Sequence, residues 1–304
     1  MEQNATLTKD KKGAINVSTF SQKIHSYLKH PFSLLVWIIT ILAALLTVAS
    51  FVYLVLYILI KGVPYLRPEL FSWTYDSNNV SMLPSIINTF LLTALSLVIS
   101  VPLGILAAFY MVEYAKKGNR MVKFIRVTAE TLSGIPSIVY GLFGMIFFVG
   151  VVKKHLSLLS GSLTVAIMVL PTIMRTTEEA LLSVPQSYRE GSFGLGAGKL
   201  RTVFRIVLPS AVPGILSGVI LATGRIVGET AALIYTAGTM AKVPNNLFAS
   251  ARTLSVHMYL LSNEGLHTNE AFATAVVLLV FVMLINMLAN FVARRLSAKN
   301  AEND

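Results

Sequence analysis

The stretch SAVPGILSGVILATGRIVGETAALIY, Ser210–Tyr235, carries no charge except Arg225 and Glu229. A helix needs about 20 apolar residues to cross the hydrocarbon core of a bilayer, so this segment reads as one membrane span. On a continuous helix the two charges stand one turn apart. A charged side chain at the bilayer centre costs about 2.5–3.5 kcal/mol on insertion scales, so the pair is expected to face a water-filled space or another subunit. With Gly214 at zero, about 100° per residue places Arg225, Gly218, Glu229 and Ala222 in a sector of roughly 80°. Leu216, Ile220, Val227 and Ile234 lie opposite; Gly224 and Gly228 fall outside the sector. Small residues permit close helix approach or leave room for a cavity.

Two readings of the pair follow. Buried ionic pairs can be purely architectural, in which case Arg225 and Glu229 neutralise each other and hold the bundle together. Alternatively, the planar guanidinium fork offers donors matched to a tetrahedral oxyanion, and Glu229 holds that fork while keeping the empty site near neutral. The second reading makes the chain a transporter subunit that moves an anion.

Composition sets the frame. The 304 residues are 55% hydrophobic and 13% charged, against about 25% charged in ordinary soluble domains, which marks an integral membrane protein. The absence of cysteine excludes disulfides, thiolate metal sites and cysteine nucleophiles. His25, His30, His155, His257 and His267 lack ligand-like spacing and fall outside the spans, so no intramembrane nucleophile–base pair is expected. The net charge of +11 fits loops facing anionic lipid better than nucleic acid.

Six spans are predicted: Leu34–Ile60, Leu83–Tyr110, Val127–Val152, Leu156–Ile173, Ser210–Tyr235 and Ala271–Val292. The fourth has the weakest signal, being short and carrying Pro171. With the N-terminus inside, 18 of the 25 basic residues fall on cytoplasmic segments, six outside, and Arg225 within the membrane. Basic residues concentrate on the cytoplasmic side, so both termini are expected inside. The first apolar run is too long for a signal-peptide core and reads as a retained span. Residues 1–33 form a basic cytoplasmic segment in which Thr19–His30 has amphipathic spacing. Residues 34–60 form an accessory first helix, 61–82 an external loop, 83–295 the core with a loop at 176–209, and 296–304 a cytoplasmic tail.

Two further stretches carry information. In the third span, Ser133-Gly134-Ile135-Pro136-Ser137 removes a backbone donor at Pro136 and loosens the chain at Gly134, predicting a kink. An ordinary membrane proline kink accounts for this feature by itself; alternatively, broken helices expose polar groups that line substrate paths, which makes Ser133 and Ser137 candidates. The loop Thr176–Pro209 reads as a short amphipathic helix, a glycine turn and a second helix entering the membrane. Val203, Ile206 and Val207 are expected to form an apolar docking face beside Lys199, Arg201 and Arg205. Gly194–Lys199 imitates a nucleotide-binding glycine loop, but Phe193 and Leu200 stand where glycine and Ser/Thr are required, and no strand precedes it.

The spacing from Glu190 through Gly196 to Leu208-Pro209 resembles the EAA loop of ABC-importer permeases, with Gly191 and Ser192 where two alanines are usual. The resemblance implies an all-α integral membrane protein: six transmembrane helices in an ABC-importer permease bundle with a cytoplasmic coupling helix. Glu190, Gly191, Ser192, Gly196, Ile206, Leu208 and Pro209 would seat that helix on an ATPase subunit. Ser133–Phe143 and Arg225–Ala231 resemble phosphate-importer permeases of the PstA type, a likeness running from about Leu83 to Arg295. It implies substrate translocation past Arg225 and Glu229, in the bacterial inner membrane. It also implies a PstC-type partner permease, a PstB-type ATPase dimer and a periplasmic PstS-type phosphate-binding protein. ATP and magnesium would be bound by the ATPase, leaving this chain without cofactor or catalysis. Permeases for other oxyanions such as sulfate or molybdate, and an ion-coupled carrier using Glu229, remain alternatives.

Overall fold

The computed structural model describes residues 31–116 and 118–301. The amphipathic stretch Thr19–His30 and the last three residues lie outside the described residues. The chain divides into two units, Met1–Tyr57 and Ile58–Asp304. The described part of the first unit is helical, within α1 (Pro31–Gly62), and its apolar side chains are largely exposed.

The second unit is helical, with no strand among its described residues. Helix α2 (Leu83–Phe109) closes in a π-helical turn, Tyr110–Tyr114. Helix α3 (Arg120–Ser133) precedes α4 (Ser137–Gly144), which continues as a π-helical stretch to Val151. Helix α5 is Leu158–Ser183 and α6 is Gln186–Gly194. The short α7 (Lys199–Thr202) runs through the π-helical Val203–Val207 into α8 (Leu208–Gly228). Helices α9 (Ala231–Thr236), α10 (Leu254–Glu264) and α11 (Thr268–Ala301) complete the unit. Among the described residues, five helices are long and apolar enough to cross a membrane, six with the bent pair α3–α4 counted as one span.

Helix α5 is the centre. Two thirds of its most apolar window is buried, and Ser160, Ser162 and Thr164 are among the buried residues. Its neighbour α2 buries Ser85, Asn88, Thr89, Thr93, Ser96 and Ser100 along one face. Gly104 lets the two backbones close: a Cβ there would stand 2.8 Å from Ile173 Cγ2. A helix surrounded by protein needs no lipid-like surface, so the weak hydropathy of this span reflects its central position. It ends at Ser183 rather than Ile173 and keeps Pro171 inside the helix.

Helix α8 packs on α5 through its glycines. A Cβ on Gly214 would stand 2.6 Å from Ala180 Cβ, and one on Gly218 would overlap Thr176 Oγ1. The small-residue sector thus serves close approach at Gly214 and Gly218, and Ala222 is fully buried.

Two predicted spans are not continuous helices. The third is bent by 103° between α3 and α4. Pro136 has no N–H for the Leu132 carbonyl, the acceptor of an ordinary i→i−4 bond; that carbonyl accepts from the Ile135 amide at 3.1 Å and from the Tyr140 hydroxyl at 2.8 Å. The fifth stops at Gly228, because Glu229 is extended (φ −69°, ψ 131°), and resumes as α9.

At the end opposite the 176–209 loop, Leu70, Val80, Met82, Leu254 and Leu261 form a separate apolar cluster. His257 on α10, outside the membrane-spanning helices, is fully buried beside it. Arg252 Nη1 lies 3.3 Å from His257 Nδ1; since arginine only donates, Nδ1 accepts. Burial pushes the imidazole down to about 3 from its ordinary 6.5, and the Arg252 guanidinium adds to that push. A base held neutral by folding contributes stability that is complete above about pH 6.5 and is lost as pH falls toward 3. The slope approaches about 1.4 kcal/mol per pH unit. Thermal melts of the purified protein should therefore decline below pH 6.5, and His257→Gln should flatten that decline; an unchanged pH slope would remove His257 as its cause.

Candidate functional site

The two helix breaks lie against each other. Helix α4 begins at Ser137 and α9 at Ala231, and they pack so closely that a Cβ on Gly141 would stand 2.8 Å from Ala232 Cα. Tyr140, Ala222, Ile226 and Leu233 share one buried cluster, with Leu132 and Ile135 packed against it. Tyr140 therefore ties the first break into the core, its hydroxyl donating to the Leu132 carbonyl.

Arg225 and Glu229 do not form the expected ion pair. Glu229 is buried, and its Oε1 accepts a hydrogen bond from the Ala232 amide at 3.0 Å. Its backbone carbonyl accepts one from Ser255 Oγ at 2.6 Å. The carboxylate is thus spent on the first turn of α9, where free N–H groups favour an anion. The helix break also removes the one-turn spacing that the pair required. Arg225 is partly exposed, and among the described residues no carboxylate lies within 4.0 Å of it. An added Cβ on Gly224 or Gly228, outside the sector that packs on α5, would meet nothing within 4 Å. The outcome is a partly exposed arginine, without a carboxylate within 4.0 Å among the described residues, one turn before a helix break.

Ser137, partly buried, begins α4 immediately after the break. Ser133 is exposed, its hydroxyl bonded to the Ala129 carbonyl at 2.9 Å. It lines a cleft of about 170 Å³ between α3 and α5 with Arg126, Glu130, Arg175 and Glu178. The arginines there are matched: Arg126 pairs with Glu178, and Arg175 with Glu179 at 3.1 Å. Among the described residues no group of three or more His, Asp or Glu side chains could hold a metal ion.

The 176–209 segment has the expected helix–turn–helix form. Gly196 takes the left-handed conformation (φ +78°) that closes the turn. Ser192 is buried, with its Oγ 2.8 Å from Thr202 Oγ1, joining the two arms. Glu190 is exposed, and an added Cβ at Gly191 would meet nothing within 4 Å. Ile206, Leu208 and Pro209 are partly buried along the second arm. The outward apolar face of this segment differs from the expected Val203, Ile206 and Val207. Val203 and Val207 are buried in the core, because the second arm is the start of a packed membrane helix. The apolar groups turned outward are Tyr188, Phe193, Leu195, Leu200 and Phe204, with Leu195 90% exposed.

Residues 100–301 match the family described as "binding-protein-dependent transport system inner membrane component". The chain belongs to that family. It is 34% identical over 282 residues to the probable ABC transporter permease protein YqgI of Bacillus subtilis, covering 86% of this chain and 95% of that one. It is 34% identical over 242 residues to the phosphate transport system permease protein PstA of Pasteurella multocida, covering 75% and 82%. In fold it resembles a bacterial alginate ABC transporter solved in complex with an alginate pentasaccharide-bound periplasmic protein. That likeness has a TM-score of 0.65 at 18% identity and covers 89% of this chain and 98% of the other. The protein is a multi-pass ABC-importer permease subunit with PstA-type relatives.

Three permease residues that pattern reading passed over shape these sites: Tyr140, Glu113 and Arg189. Tyr140 had a local signal, standing four residues after Pro136 where a hydroxyl can reach the freed carbonyl. Glu113 and Arg189 are far apart in the chain and gave none.

Proposed function

We propose that this permease subunit imports phosphate, with Arg225 as the group that meets the anion in the membrane. The observation that carries the reading is a partly exposed arginine without a carboxylate partner among the described residues, one turn before a helix break. A bidentate guanidinium suits a tetrahedral oxyanion, and the PstA-type relatives favour phosphate over sulfate or molybdate. Glu229, engaged by α9, acts by fixing the break that positions Arg225; this use of the carboxylate disfavours an ion-coupled carrier. Ser137 lines the same passage.

In this reading residues 83–295 are the translocation core, residues 34–60 an accessory helix, and both termini are cytoplasmic. The outward apolar groups of 188–204, with Glu190 and Gly191, dock on a PstB-type ATPase dimer that binds ATP and magnesium. A PstC-type permease completes the passage, and a PstS-type protein delivers phosphate.

Because the chain has no cysteine, Ser137→Cys gives it a single thiol beside the passage. In the assembled transporter, phosphate should slow modification of that thiol by a negatively charged thiosulfonate, read on this chain by mass, and equal sulfate should not. A labelling rate indifferent to phosphate would contradict the path; equal protection by sulfate would reassign the oxyanion.

A further inference from the structure

The π-helical end of α2 grips both arms of the 176–209 loop. On the first arm, Arg189 of α6 donates to Glu113 Oε1 from Nε at 3.1 Å and from Nη2 at 2.8 Å. The same guanidinium donates to the Leu181 and Val184 carbonyls, both at 2.9 Å. Those carbonyls belong to the last turn and cap of α5, where no N–H donor inside the helix is left for them. The pair is nearly buried, with side chains 11% and 8% exposed. On the second arm, Lys199 Nζ lies 5.1 Å from the Tyr114 ring centroid, and Phe204 stacks on Phe109 at 6.2 Å. Glu113 and Tyr114 lie in one π-helical turn, a form that recurs at functional sites, and Phe109 immediately precedes it.

The chain between α5 and α6 consists of Val184 and Pro185, both extended. By itself a two-residue extended joint lets α6 pivot on the end of α5. Arg189 closes that freedom by binding α2 and α5 together from within α6. We propose that Glu113 and Arg189 are the positioning pair that makes α6, the end of α2 and the end of α5 move as one body. Displacement of the docking loop is then passed to the central helices instead of being absorbed at Val184-Pro185. The mechanical inference rests on the reading of 176–209 as the docking loop, but not on phosphate being the substrate.

The test uses the assembled transporter in sealed proteoliposomes, with spin labels at Ser187→Cys on α6 and Leu106→Cys on α2, both exposed positions. With Arg189 intact, the distance distribution should be narrow and unchanged by ATP. In Arg189→Gln it should broaden and shift with ATP, while ATP hydrolysis continues and uptake falls at least tenfold, so that more ATP is consumed per anion moved. Glu113→Gln, which leaves Arg189 its carbonyl partners, should show the same change more weakly and stands in if Arg189→Gln fails to assemble. A narrow, ATP-independent distance in these variants, or uptake and hydrolysis falling in parallel, would overturn the proposal. Leu195→Asp, at the exposed tip, separates the premise: it should abolish retention of the ATPase, and normal retention would count against the docking reading instead.

Discussion

Arg225→Gln should reduce phosphate uptake about 100-fold or more while leaving the amount of assembled transporter unchanged. A hydrogen bond to a charged partner contributes about 1.5–3 kcal/mol, and about 2.7 kcal/mol corresponds to a factor of 100. A bidentate contact reaches that level, and Arg225→Lys, which keeps the charge and loses the fork, should retain intermediate uptake. Assembly is the second readout. Had Arg225 been the partner of a buried Glu229, removing it would strand a carboxylate at a cost of about 3–5 kcal/mol, and the protein would be depleted from the membrane. Glu229 is held by the Ala232 amide instead, so the variant should be present and inactive. Loss of the protein together with its activity would restore the architectural reading.

Gly218→Leu should have the opposite signature, a failure of assembly that lowers every activity together. A Cβ at this position would overlap Thr176 Oγ1, and that hydroxyl is itself bonded to the Thr172 carbonyl at 2.9 Å. Neither side can yield cheaply. Overpacking a well-packed core costs about 1–3 kcal/mol and occasionally more, and here it separates α8, which carries Arg225, from α5. The purified yield should drop several-fold, and Thr176→Ala should recover part of it by removing the overlapped oxygen. Normal yield and melting temperature for Gly218→Leu would show that the two helices are not this close. Gly224→Ala, where an added Cβ meets nothing within 4 Å, is the matched control.

The contrast between these glycines shows which features could be read from sequence. Apolar length marked the spans and their number, and Pro136 marked a kink, because each is a local consequence of backbone chemistry. Its size, a 103° bend, is set by how α4 packs on α9, which no local pattern reveals. Helix α5 was underestimated for a related reason. Its serines and threonines lower hydropathy, yet they suit a helix surrounded by protein. The stop at Gly228 had no local signal, since apolar residues continue beyond it to Tyr235. What ends the helix is the extended Glu229, fixed by the Ala232 amide and by Ser255, which comes from a distant part of the chain. Arg225 and Glu229 were thus recognised as unusual from composition alone, while their relation to each other required the fold. The 176–209 loop was legible through its glycine turn at Gly196; its outward face was not, because Val203 and Val207 belong to a packed membrane helix.

The central claim is ATP-driven import of phosphate through this subunit. It is tested most directly by labelled phosphate uptake in cells lacking their own permease, supplied with this chain and its partner subunits, with sulfate in large excess as competitor. Uptake should depend on this chain, ignore sulfate and collapse in Arg225→Gln at matched membrane abundance. Uptake abolished by sulfate, or undiminished in Arg225→Gln, would contradict it.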